Sequence, residues 1–151
     1  MRNIIFAAAA VAAFATPAYA NEARVEARGG VIWADGDSEA FGGLAAGYDF
    51  DLGTSTFVGV EVSGDKVFTD NTKVAWGFTG RAGAKVGAGK LYAAGGYTTE
   101  FCDVCDGNWH IGAGYQHSLG TNLFGKLEYR RYLVDNFSDT NAVAVGVGMT
   151  F

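Results

Sequence analysis

The sequence predicts an all-β fold: an eight-stranded antiparallel up-and-down barrel that crosses a membrane with its strands. Three observations lead there. Successive segments alternate bulky apolar with small or charged residues, the period-two pattern of a strand. The chain has 23 glycines among 151 residues and a single proline, Pro17, so helices are disfavoured and sheet ladders run uninterrupted. Short glycine-containing turns alternate with longer polar loops, and the segments between them approach the ~9–11 residues of a tilted membrane strand. No later stretch approaches the ~18 consecutive apolar residues of a membrane helix.

The elements follow in order. Arg2, the apolar run Ile4–Ala15 and Ala18-Tyr19-Ala20 read as a secretory signal cut after Ala20. Residues 1–20 are therefore assigned to a signal peptide that is removed, and residues 21–151 to one barrel domain. The first strand is expected over Glu22–Trp33, with Val25, Ala27, Val31 and Trp33 opposite Arg24, Glu26, Arg28 and Ile32. Asp35–Glu39 is expected as a turn. A second strand over Ala40–Leu52 sets Leu44, Ala46, Tyr48, Phe50 and Leu52 against Ala45, Gly47, Asp49 and Asp51. After Gly53-Thr54, a third over Thr56–Asp65 sets Val58, Val60 and Val62 against Gly59, Glu61 and Ser63.

A polar loop, Lys66–Lys73, precedes a fourth strand over Val74–Val86, and Gly87-Ala88-Gly89 turns into a fifth over Lys90–Thr98. The loop Thr99–Asn108 holds both cysteines. The sixth strand covers Trp109–Leu119; Gly120-Thr121-Asn122 turns into a seventh over Leu123–Tyr132. Past the loop Leu133–Thr140, Asn141–Phe151 shows the alternation most clearly: Val143, Val145, Val147, Met149 and Phe151 interleave with Ala144, Gly146, Gly148 and Thr150.

Alternation alone does not say which face is inside. A soluble barrel would turn the apolar face inward. Two features point the other way. The charged face is also rich in Gly and Ala, which would weaken a solvated exterior but makes room inside a narrow barrel. Trp33, Trp76, Trp109, Tyr97 and Phe68 fall near the long loops, and Phe50, Tyr115 and Phe151 near the short turns, as in two aromatic girdles.

The lumen is then the main chemical constellation. It is expected to hold Arg24, Glu26, Arg28, Asp49, Asp51, Glu61, Arg81, Lys85, Lys126, Glu128 and Arg130. Counting from the short turns puts Arg28, Glu61, Arg81 and Glu128 in a middle layer, and Asp49, Asp51, Lys85 and Lys126 in a layer below. Such charges are tolerable inside only when paired and hydrogen-bonded. The expected reading is a salt-bridged plug; a narrow gated conduit is the alternative.

Other groups carry weaker signals. The net charge of -5 argues against a nucleic-acid partner, which needs a basic patch. Cys102 and Cys105, in an exported chain, are expected to form a loop disulfide. Zinc would need further ligands, for which Asp103, Asp106 and His110 are at hand. The loop acids Asp35, Asp37, Glu39, Asp65, Asp70, Glu100, Asp103, Asp106, Asp135 and Asp139 read as a solvated rim. No cofactor is expected.

Residues 112–132, GAGYQHSLGTNLFGKLEYRRY, resemble the penultimate hairpin of the opacity-protein and OmpA-like (OmpX-like) porin superfamily, G-x-G-x-E-Y-x-L-x-x-N-L-x-x-x-x-E-Y-R-Y. Gly112, Gly114, Leu119, Asn122, Leu123, Glu128, Tyr129 and Arg130 match. Gln116 stands at the usual acid, His117 at the usual tyrosine, and Arg131 intervenes before Tyr132. Phe151 resembles the C-terminal signal that the outer-membrane insertion machinery recognises.

The resemblance implies an outer-membrane location, contact with outer-membrane lipid and lipopolysaccharide, and a structural or surface-interaction role in the Gram-negative envelope. A monomer is the default expectation. A porin-like channel and a lipid-modifying enzyme are the alternatives. Catalysis is not expected. His117 and Ser118 invite comparison with outer-membrane lipid A deacylases, but those enzymes resemble one another in a His and Ser two apart. Adjacent strand residues point to opposite faces.

Overall fold

A computed structural model describes residues 21–103, 106–134 and 139–151. The expected signal peptide, Cys105 and Asp135 lie outside the described residues. Eight strands form a closed barrel in chain order: β1 (Glu22–Ala34), β2 (Asp37–Leu52), β3 (Thr56–Val67), β4 (Ala75–Val86), β5 (Gly89–Thr98), β6 (Asn108–Ser118), β7 (Leu123–Leu133) and β8 (Thr140–Thr150). Each pairs antiparallel with its neighbours, and β8 closes on β1 from Arg24↔Thr150 to Trp33↔Asn141. Phe151 extends that seam through backbone bonds to Ala23 of 3.2 and 2.9 Å.

Burial settles the orientation of the two faces. On β3, Val60 is 58% exposed and the adjacent Glu61 only 4%; on β2, Leu44 is 68% exposed and Ala45 only 6%. The apolar face is the outer wall and the charged face lines the lumen. The aromatic residues near both ends of the wall, including Trp76, Trp109, Phe50 and Phe151, are exposed.

The strands run close to their expected bounds, with one clear departure. Asp35–Glu39 is not a five-residue turn. Only Asp35 and Gly36 turn, at φ 49° and 95°, and Asp37, Ser38 and Glu39 already belong to β2. Positive φ at both central residues is the hairpin geometry that Asp-Gly favours, because its twist matches the flanking strands. The first long-loop connection is therefore as short as the turns at the other end.

Gly36 is held where an L side chain is strained, whereas Gly120 has no positive φ and open space around its Cα. Gly36→Ala is expected to lower stability by about 1–2 kcal/mol. Gly120→Ala is expected to leave it unchanged or raise it by about 0.4–1 kcal/mol. Urea titration of the refolded barrel, read by heat-dependent gel mobility, checks both.

Candidate functional site

The lumen is built by side chains at alternate positions of all eight strands, and glycine decides which of them meet. In one row of the ladder Arg24 of β1 pairs with Gly47 of β2, and Gly47 with Glu61 of β3. A Cβ on Gly47 would lie 2.5 Å from Arg24 Nη2. With none there, Arg24 Nη1 crosses the strand and donates to Glu61 Oε2 at 2.7 Å. Gly43 lies the same way between Arg28 and Asp65, and Gly59 between Asp49 and Arg81. Both of those pairs are bidentate. Arg28 donates to Asp65 at 2.9 and 2.5 Å, and Arg81 to Asp49 at 2.9 and 2.5 Å. The planar guanidinium fork matches a carboxylate in this way.

Glu61 is the centre of the network. Besides Arg24 it faces Arg28 Nη1 at 3.0 Å, and Lys126 Nζ and Arg130 Nη2 at 3.5 Å each. Lys126 lies 2.5 Å from Glu26 but off the hydrogen-bond direction, so charge attraction more than alignment joins that pair. Arg130 pairs with Glu128, which also accepts the Tyr92 hydroxyl at 2.6 Å.

Towards the short turns, Lys90 joins Asp49 and Glu22 at 2.9 and 2.7 Å, and Lys85 pairs with Asp51. The Arg81 guanidinium lies 5.3 Å from the Phe57 ring centre and 4.8 Å from that of Tyr92, within cation–π range.

Towards the loops the lumen turns apolar. Phe41, Val67, Tyr132, Ala142 and Ala144 form a buried cluster, with Ile32 and Phe101 packed against it. Between this cluster and the ions is a cavity of about 10 Å³ lined by Arg28, Glu128 and Arg130 among others, room for about one water. Beside it, both ring nitrogens of His110 meet threonine hydroxyls, those of Thr79 and Thr98, at 3.0 Å.

The expected layering is corrected in two places. Arg81 does not share a layer with Arg28, Glu61 and Glu128; it belongs to the Asp49 group nearer the short turns. Lys126 belongs with Glu61, not below it. Strand tilt displaces residues that sit at equal distances from their turns. Asp65, grouped in the sequence with the loop acids, is buried on Arg28. Tyr92, Gln116 and Lys90 also join the network; Gln116 accepts from Arg81 at 3.1 Å. The signal that could have found Asp65 and Tyr92 is hairpin register, which puts a glycine between each and its partner.

The remaining candidates do not converge. His117 is on the outer wall beside the Tyr115 hydroxyl at 3.3 Å, and Ser118 is exposed at a short-turn end. With both nitrogens engaged inside the barrel, His110 does not join Asp103 and Asp106. Among the described residues no group of three His, Cys, Asp or Glu side chains is arranged to hold a metal. Cys102 is not free, but its expected partner lies outside the described residues.

Two loops are tied by Lys73, whose ammonium reaches Glu100 at 3.1 Å and Asp103 at 3.2 Å. The hydrogen bond to Glu100, then that to Asp103, raises the Lys73 pKa. Glu100 is lowered, first by its own backbone N–H and then by Lys73.

A closed barrel with an apolar outer wall, aromatic girdles and a charged interior is the architecture of an outer-membrane protein. Residues 6–151 match the family described as outer membrane protein beta-barrel domain. The chain belongs to that family and is a protein of the outer membrane. Solved structures agree in fold. The N-terminal β-barrel domain of Pseudomonas aeruginosa OprF superposes with a TM-score of 0.59 at 16% identity, over 86% of this chain and 97% of that one. Ail, the attachment invasion locus protein of Yersinia pestis, gives 0.53 at 14% identity, over 87% and 97%. The outer membrane enzyme PagL gives 0.52 at 14% identity, over 83% and 97%. No curated protein matches the chain by sequence.

Removing Glu61 would take from Arg24, Arg28, Lys126 and Arg130 the one carboxylate that all four share. Glu61→Ala is expected to cost about 3–5 kcal/mol in the same urea titration. Gly59→Val, which would drive a side chain between Asp49 and Arg81, is expected to cost about 1–3 kcal/mol.

The Lys73 tie has its own pH signature. Because the Glu100 pKa is lowered, the tie is fully present above the ordinary carboxylate value of ~4.3 and is lost as pH falls through the lowered one. Hydrogen exchange at the Lys73 N–H, which bonds Phe101 O at 2.9 Å, is expected to lose protection over that range.

Proposed function

We propose that this protein is a charge-plugged outer-membrane barrel whose work is structural or lies at the cell surface, rather than in conduction or catalysis. One observation carries the reading: buried ion pairs centred on Glu61 gather inside the barrel, with a cavity of about 10 Å³ beside them. The apolar cluster around Phe41 and Tyr132 supports it from the loop side, since an apolar constriction disfavours water. With the interior filled, the outer wall and the loops are the surfaces through which the protein acts. Phe151, paired with Ala23 at the closing seam, serves as the insertion signal. The protein works as a monomer without a cofactor, and a Cys102–Cys105 disulfide stiffens its loop.

A narrow conduit is the second reading, favoured by charged side chains that continue from the Glu61 cluster through Arg24 and Asp49 to Glu22 near the short turns. Planar-bilayer recording of the refolded protein separates the two. The plug predicts no stable, large unitary currents; their appearance in the unsubstituted protein would sink it. Lipid A mass spectra from cells with and without the protein test the absence of enzyme activity, and a mass change tied to its presence would overturn that.

A further inference from the structure

The connection from β5 to β6 turns inward over the loop end of the lumen, the end that faces outward in an outer-membrane barrel. Phe101 shows the turn. It follows β5 in the chain, yet it packs against the buried cluster of Phe41, Val67, Tyr132, Ala142 and Ala144, whose members stand on β2, β3, β7 and β8. Its ring meets that of Tyr132 edge-on, with centroids 5.9 Å apart. Tyr132 in turn lies 5.8 Å from the His110 ring. A file of three rings thus leads from the loop into the lumen.

The segment is held firmly at its start and lightly beyond. Thr99 is stitched to β4: its N–H donates to Trp76 O, and its hydroxyl oxygen accepts the Trp76 N–H, each at 2.9 Å. Past that point Lys73, on the β3–β4 connection, supplies the ties. Its N–H donates to Phe101 O at 2.9 Å, and its ammonium reaches Glu100 at 3.1 Å and Asp103 at 3.2 Å. Lys73 and Glu100 are half-exposed and Asp103 almost wholly so. Such pairs contribute little each and are screened by salt. Phe101 itself is only partly buried. A stretch with few buried contacts opens locally far more readily than the strands around it.

We infer that Thr99–Asp103 is a lid over the outward end of the lumen, hinged where Thr99 meets Trp76 and latched by Lys73. The Phe101 ring does the closing. Lys73 is a positioning residue: it holds Glu100 and Asp103 so that the ring between them rests on Tyr132. Closed, the lid shields the apolar cluster and His110 from outside. Open, it uncovers a vestibule whose floor is the set of ion pairs around Glu61. The lid governs entry at the mouth, not passage through the barrel, so it operates whether or not the lumen conducts.

The test is the reaction rate of a thiol placed behind the lid. Ala142→Cys puts one in the cluster, and Ala144→Cys repeats the measurement at the next inward position. The refolded protein in phosphatidylcholine nanodiscs is treated with methyl methanethiosulfonate, which is small and uncharged. Peptide mass mapping follows the label at that position alone, apart from Cys102 and Cys105. Heat-dependent gel mobility confirms folding. Labelling is expected to be slow in the Ala142→Cys parent. Adding Lys73→Gln should speed it about three- to tenfold, and Phe101→Ala on the order of tenfold; Lys73→Arg should leave it unchanged. About 1 M salt should speed the parent as much as Lys73→Gln does, and alter the Lys73→Gln variant little. A thiol introduced by Ala94→Cys, in the separate buried cluster with Phe57 and Tyr92, should keep one rate throughout. Fast labelling in the parent, a rate unmoved by both Lys73→Gln and Phe101→Ala, or an equal rise at position 94 would each overturn the lid.

Discussion

Three ion pairs inside this barrel are made by reaching over an intervening strand, and the absent side chain of a glycine makes each of these reaches possible. Arg24 crosses Gly47 to Glu61, Arg28 crosses Gly43 to Asp65, and Arg81 crosses Gly59 to Asp49. The same device joins Tyr92 to Glu128 over Gly114, where an added Cβ would lie 2.4 Å from the tyrosine oxygen. In these rows the two long side chains stand on the strands that flank the glycine's strand. Spacing them one strand apart lets a guanidinium lie flat across the lumen and meet its carboxylate along one edge. Glycine in a strand weakens it locally; here that loss is offset by pairing charges that would otherwise be buried alone.

The closed backbone imposes this arrangement. In hydrocarbon no ladder group can go unpaired, so β8 must pair with β1 and the sheet cannot open to relieve crowding. The cross-section is set by eight strands and their tilt. Charges that project inward there need partners within reach. Arginine and glycine together supply them, one long and multiply bonded, the other without a side chain. Where the lumen nears the loops, the apolar cluster of Phe41, Val67 and Tyr132 takes the place of the ion pairs.

The structural relatives show what such a frame leaves open. OprF, Ail and PagL share the barrel at 14–16% identity, and the last of them is an enzyme. Fold therefore places the protein without assigning its work. The distinguishing features are the ones the frame does not require: the ion pairs of the lumen around Glu61 and the short Asp35-Gly36 hairpin beside longer loops.

Much of this was legible in the chain. Strand number, strand bounds, membrane orientation and the inward set of charges follow from period-two alternation, glycine usage and aromatic placement. These are local signals, readable within one hairpin. The partners within the lumen were not legible from equal distances to the turns. Arg28 meets Asp65 across 37 residues and Arg24 meets Glu61 across the same separation, and each match depends on register and tilt accumulated over three strands. Asp65 looked like a loop acid because it ends a strand near a polar loop. Tyr92 passed unnoticed because a tyrosine between Leu91 and Ala93 carries no charge to mark it. The sequence by itself determined which face each residue takes, since alternation is a property of one strand. Only the closed barrel decided which residues touch, since that is a property of all eight strands at once.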